Sequence, residues 1–295
     1  MIVRERPGLR HILFAWAGSV LPVILPNLAT LALWGFAVVG VDRLVMPLQH
    51  VDSAPFTVFG LALSLSLGFR NNAAWDRWWE GRRLWGGLVA DLRNLAREAE
   101  IWLDEADRLA VIRLSLAFLH LHRLALRGTP PDDAAITRLT VADIAPGPPG
   151  SALNRIADIV ATARRAGKLD PLGARTLAER LASISAAQSG AERIASTPLP
   201  YVYSLLIYRT AWLYCLFLPL ALIGPAGWLT PFFVVMAGYV FLGLAEVAEE
   251  LAQPFGSTPN ALPLDAICRM VEISLAPHLD EVPATPLEPR NYILT

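Results

Sequence analysis

The chain has 295 residues, 54% of them hydrophobic and only 17% charged, with a mean hydropathy of +0.44 and a net charge of −1. Soluble domains carry about 25% charged residues, so the composition argues against one, and the balanced charge supplies no basic field for nucleic acid or an anionic surface. Two cysteines, Cys215 and Cys268, have no metal-ligand spacing, and Cys215 lies inside an apolar run, which argues against a structural disulfide.

In chain order, Arg4, Arg6 and Arg10 come first, and then no residue is charged from Ile12 to Val41. That run exceeds the roughly 20 apolar residues needed to cross a ~30 Å hydrocarbon core. Pro22 and Pro26 should bend or delay its helix. It is too long for a signal-peptide core and lacks a small-x-small cleavage site, so it is expected to remain as a first span. Ser53 to Phe69 is a shorter uncharged stretch that ends abruptly at Arg70.

From Arg70 to Ser196 the sequence reads as helical. "LVADLRNLAREAEIWLDEADRLAVIRLSLAFLHLHRLAL" has apolar residues at three-to-four spacing with charges between them. "TPPDD" (Thr129–Asp133) and "APGPPG" (Ala145–Gly150) break it, and another amphipathic helix follows each. Thr210 to Ala245 is again uncharged, and "GPAG" (Gly224–Gly227) marks a turn inside it, which makes two more spans. The tail after Pro254 is rich in proline and polar residues and is expected to lie as an extended arm.

The expected fold is thus an all-α integral membrane protein with four transmembrane helices. It divides into an N-terminal arm and two spans (1–69), a helical cytoplasmic region (70–196), two further spans (197–253) and a C-terminal arm (254–295). The arginine distribution puts both termini and the central region in the cytoplasm.

The second span poses a question, because it runs straight into charge. With Leu61 at zero and about 100° per residue, Leu65 falls near 40°, Phe69 near 80°, Asn72 near 20° and Asp76 near 60°. One stripe therefore passes from bulky apolar residues to Asn and Asp, while Arg70 points the other way. Charged groups at the edge of a membrane helix face a protein interior or a water-filled path. Packing against a neighbouring helix and lining such a path both fit the stripe.

"LGFRNNAAWDRWWEGRRLWG" resembles the signature of the bestrophin family, in which a glycine-phenylalanine pair leads into an arginine-tryptophan-tryptophan block. "RHILFAWAGSV", "ERIASTPLPYVYS" and "AEVAEELAQPFGSTPNALPLDAI" resemble the family in the same order. The resemblance implies a homopentameric ion channel in a bacterial inner membrane, with one pore on its axis. Leu61, Leu65 and Phe69 match the family's pore neck. Leu199, before Pro200, best matches its cytoplasmic constriction, with Thr197 as another alignment. Asn72 and Asp76 would face the vestibule beyond the neck, and Arg70 and Glu80 would face neighbouring helices as paired charges.

The resemblance implies small monovalent ions as cargo, with chloride favoured. Animal bestrophins carry a neutral residue where this chain has Asp76, so a cation channel of the same architecture and a non-conducting scaffold stand as alternatives. Calcium-activated members follow "PFG" with acidic residues. Here Ser, Thr, Pro, Asn and Ala follow Gly256, and no calcium gating is expected. Glu246, Glu249 and Glu250 could bind a cation or pair with arginines. The histidines (His11, His50, His120, His122, His278) form no catalytic or metal motif, and no nucleophile elbow, P-loop or dinucleotide turn is present. No enzyme activity, cofactor, resident metal or nucleic-acid partner is expected.

Overall fold

The structure, a computed structural model, describes residues 1–3, 8, 15–16, 18–49 and 51–295. The N-terminal arginines, His11, His50 and most of "RHILFAWAGSV" lie outside the described residues. The described chain is helical, with only two isolated bridges, Ile2 to Ile293 and Arg290 to Ile293, in extended backbone.

Helix α1 (Leu21–Gly40) starts with Pro22 in its first turn, where a missing N–H leaves no ladder bond unmade. Pro26 sits inside the helix and removes one ladder bond. A π-turn at Val41–Val45 closes α1, and Asp42 within it accepts the Leu48 N–H at 2.9 Å. Helix α2 (Ala54–Trp102) is a single helix of 49 residues. Helix α3 (Glu105–Arg127) is capped by Asp104 and stopped by Gly128 at φ 63°, a conformation glycine adopts without strain.

Helices α4 (Asp133–Val141), α5 (Gly150–Arg165) and α6 (Pro171–Ser196) follow. Asp132 of "TPPDD" caps α4, and α5 begins at the last residue of "APGPPG". Helix α7 (Tyr201–Ala226) and helix α8 (Thr230–Leu251) are joined by a 3-10 turn at Gly227–Leu229. The reversal falls at the end of "GPAG" because Pro225 tolerates the last helical turn, whereas Gly227 takes φ 53°.

The chain forms two compact units. The apolar unit comprises residues 6–78 and 198–253, and the amphipathic unit comprises 1–5, 79–197 and 254–295. In the apolar unit, Ile24, Leu28, Leu31, Leu63, Leu67, Ile207, Cys215, Leu218, Val234 and Leu242 form one core. Glycine lets α1 and α8 approach closely. A Cβ on Gly35 would stand 2.9 Å from Pro231 Cα, and one on Gly238 would stand 2.6 Å from Leu31 Cδ1. Small residues at such contacts are how helices pack where lipid removes the hydrophobic drive. Trp34 Nε1 donates to the Leu216 carbonyl at 2.8 Å.

By length and composition Leu21–Val45 and Tyr201–Leu251 could cross a membrane, the second holding α7 and α8. Glu105–Arg127 also qualifies, but it is mostly buried in protein.

The tail corrects the expectation of an extended arm. Helix α9 (Leu264–Leu275) buries Leu264, Ile267, Cys268, Val271 and Leu275, and after residue 280 the chain is without helix. Prolines 254, 259 and 263 precede the helix and Pro277 follows it, so none interrupts its apolar stripe. Overall proline content hid a three-to-four periodicity.

Candidate functional site

Within the apolar unit, α2 has two opposite faces. Leu63, Leu67, Arg70 and Ala74 are buried, at relative exposures of 4%, 0%, 6% and 0%. Leu61, Leu65 and Phe69 are exposed by 75%, 61% and 67%, and Asn72 and Asp76 are exposed as well. At about 100° per residue the two sets centre about 170° apart. The hydroxyls beside the exposed stripe are satisfied within the helix, Ser64 to the Gly60 carbonyl at 2.8 Å and Ser66 to the Ala62 carbonyl at 2.9 Å.

Arg70 holds the buried face in register. Its guanidinium donates to the Ala245 carbonyl at 2.9 Å, to Ser204 Oγ at 2.8 Å and to Glu249 Oε2 at 2.6 Å. A buried arginine needs this many acceptors, because an unpaired one carries a large desolvation cost. Asn71 donates to the Leu67 and Leu244 carbonyls, and Arg77 Nε to the Ala252 carbonyl at 2.6 Å. Tyr208 donates its hydroxyl proton to Glu246 at 2.7 Å.

Glu246 and Glu249 therefore have partners inside the apolar unit, and Glu250 is not free either. No cluster of three or more metal-ligating side chains occurs among the described residues.

The structure brings Leu61, Leu65, Phe69, Asn72 and Asp76 onto one face, while Leu199 lies elsewhere. Half-buried, Leu199 packs beside Leu251 against Ala74, Ala248 and Ala252, on the buried side of α2. Pro200 is exposed and caps α7, and Thr197 is exposed at the end of α6. Sequence reasoning missed Ser204 and Tyr208. Their signal was a polar pair four residues apart on α7, matched by carboxylates three apart on α8, Glu246 and Glu249.

In the amphipathic unit the charges form structural networks. Glu80 pairs with Arg193 at 2.6 Å. His120 Nε2 lies 2.9 Å from Glu272, which also meets Arg138 and Arg269, each at 3.1 Å. Burial pushes the Glu272 carboxyl up, but His120 and Arg138 outweigh it and hold it below its ordinary range. Arg123 bridges Asp132 at 2.6 Å and Asp265, and Arg127 meets Asp265 at 2.7 Å. His122 faces elsewhere, stacked between Trp85 and Phe118 with centroids at 5.5 and 5.7 Å. Burial alone pushes its pKa down to about 4, so it is neutral. His278 sits 2.7 Å from Glu100.

Long apolar helices packed through glycine, with one buried arginine tied to backbone and carboxylate, define a polytopic α-helical membrane protein. The chain belongs to the bacterial/fungal bestrophin family, whose sequence pattern it matches over residues 1–277. A voltage-dependent anion channel-forming protein of Mesorhizobium japonicum is 43% identical over 99% of this chain and 96% of its own length. The voltage-dependent anion channel-forming protein YneE of Escherichia coli strain K12 is 39% identical over the whole of both chains. Among solved structures, a bacterial bestrophin homolog from Klebsiella pneumoniae superposes with a TM-score of 0.80 at 31% identity, covering 88% of this chain and 100% of that one. The family is one of membrane proteins and not of enzymes.

Proposed function

We propose that this chain forms an ion channel for small monovalent anions, with chloride favoured over sodium or potassium. The observation that carries the reading is the exposed face of α2, where Leu61, Leu65 and Phe69 lead directly to Asn72 and Asp76. A face presented to lipid throughout would not continue into Asn and Asp on the same line. The relatives' names, which describe anion channel formation, support the choice of ion.

In this reading the protein is a homopentamer in a bacterial inner membrane, with both termini cytoplasmic. The four spans are α1, the first part of α2, α7 and α8. One protomer has too few spans to enclose a pore, so closure needs a ring of copies. Leu61, Leu65 and Phe69 form the neck, Leu199 and Pro200 a second constriction, and Asn72 and Asp76 the vestibule beyond the neck.

A ring of apolar side chains offers an ion no substitute for its hydration shell, so the neck conducts only when wide enough to stay wet. The Phe69 rings favour anions if their positive edges turn to the axis.

The test is ion flux through purified protein in liposomes against protein-free vesicles. Phe69→Ala and Leu65→Ala should raise conductance by widening and wetting the neck. Leu63→Ala, on the buried face, should raise it much less. Flux of no small ion under any condition overturns the reading, and a channel opened by Leu63→Ala but not by Phe69→Ala overturns the neck.

A second reading rests on Asp76, exposed on the stripe, whose repeated carboxylate would favour cations. Asp76→Asn should then move the reversal potential in a salt gradient toward anions, more at low salt than at high. No movement would remove that reading.

A further inference from the structure

The portion of α2 that belongs to the amphipathic unit separates its charges by sign. Its acids are Glu80, Asp91, Glu98 and Glu100, and each is engaged. Glu80 pairs with Arg193 at 2.6 Å, and Asp91 and Glu98 share Arg180 at 2.7 and 2.8 Å. Glu100 meets His278 at 2.7 Å. The arginines are treated differently. Arg93 donates to Ser274 and Arg97 to Asn94, whereas Arg82 and Arg83 make no hydrogen bond or ion pair among the described residues, and of these two Arg82 is half-buried and Arg83 exposed.

Arg83 follows Asp76 by seven residues on one uninterrupted helix, and seven residues are nearly two full turns. Helical spacing therefore assigns it to the same stripe, followed by Gly87, Ala90, Asn94 and Arg97. The charged side chains within that stripe are Arg83 and Arg97, and Glu80 and Glu98 fall about 20° beyond its edge. Gly87, one turn further on, is exposed, and a Cβ there would meet nothing within 4 Å.

We infer that Arg83 is a charge-selecting residue of the ion path, repeated in every copy as a cationic ring that concentrates small anions beyond Asp76. This rests on the channel reading and adds to it the group that offsets the Asp76 carboxylate. The acids of this part of α2 are paired with other basic groups, so Arg83 faces water with Asp76 as the carboxylate it would offset. A ring of like charge acts on the local ion population, and salt screens that effect over about 30 Å at 0.01 M but about 3 Å at 1 M.

The experiment is single-channel recording in planar bilayers at 0.01 M and 1 M potassium chloride, comparing wild type with Arg83→Gln, Arg83→Lys and Arg83→Glu. Arg83→Gln should cut anion conductance roughly two- to fivefold at 0.01 M and change it little at 1 M. Arg83→Lys should restore it, and Arg83→Glu should move the reversal potential toward cations. Unchanged thermal denaturation of the variants keeps the comparison on folded protein. Wild-type conductance in Arg83→Gln at low salt, or an equal loss at both salts, overturns the inference and leaves the channel reading intact. A wild type that passes no ion overturns both.

Discussion

Helices α1 and α3 are both long and apolar enough to cross a membrane, yet they meet different surroundings. In their most apolar windows 33% of α1 with its π-turn is buried against 72% of α3. Helix α1 turns Leu33, Trp34 and Phe36 outward, and Trp34 borrows a carbonyl for its N–H. Helix α3 turns its apolar residues inward and carries His120, Arg123 and Arg127, all held by carboxylates. Apolar content thus signals burial without naming the medium. The partners of the polar groups distinguish a protein core from lipid.

The sharpest test of this contrast is truncation. Phe118 is fully buried beside His122, so Phe118→Ala should cost about 3–5 kcal/mol of stability. Leu33, 72% exposed, should cost almost nothing when changed to alanine. Thermal denaturation in detergent measures both, and equal losses would break the comparison.

Next in size is a pH effect confined to the amphipathic unit. His122 titrates near 4 in the fold against about 6.5 in the unfolded chain. Between those values the unfolded state binds more protons, so stability is complete above about pH 6.5 and is lost as pH falls toward 4. The loss is on the order of 3 kcal/mol. Denaturant titrations at several pH values should show this slope, and His122→Phe should flatten it while keeping the stack. A slope that survives the substitution would assign it to other groups.

The smallest effect belongs to the glycine contact of α1. Gly35→Ala places a methyl group against Pro231 Cα, which is backbone and cannot swing aside. Overpacking should outweigh the ~1 kcal/mol gain in helix propensity and leave a net loss of roughly 1–2 kcal/mol. Thermal denaturation in detergent would follow it, and a stabilised variant would mean that the helices can separate freely.

The stripe on α2 was legible because a helix fixes side-chain direction residue by residue. Leu61 to Asp76 could be placed on one line by counting, with Arg70 opposite, and the buried set Leu63, Leu67, Arg70 and Ala74 lies across from it. The role of Arg70 was half legible. Its direction followed from spacing, but its acceptors on Ser204, Ala245 and Glu249 lie 134 to 179 residues away, and periodicity carries no information over that separation.

Helix α9 was within reach, since Leu264, Ile267, Val271 and Leu275 keep helical spacing. Counting prolines along the whole tail concealed that they flank the helix. Local geometry and hydropathy by themselves determined that this protein is helical, where its apolar runs lie and which residues share a face, because covalent spacing enforces these things. Tertiary structure alone decided which face is buried, that Leu199 packs against Ala74, and which charges find partners. Those outcomes depend on surfaces that meet only when distant segments are packed together.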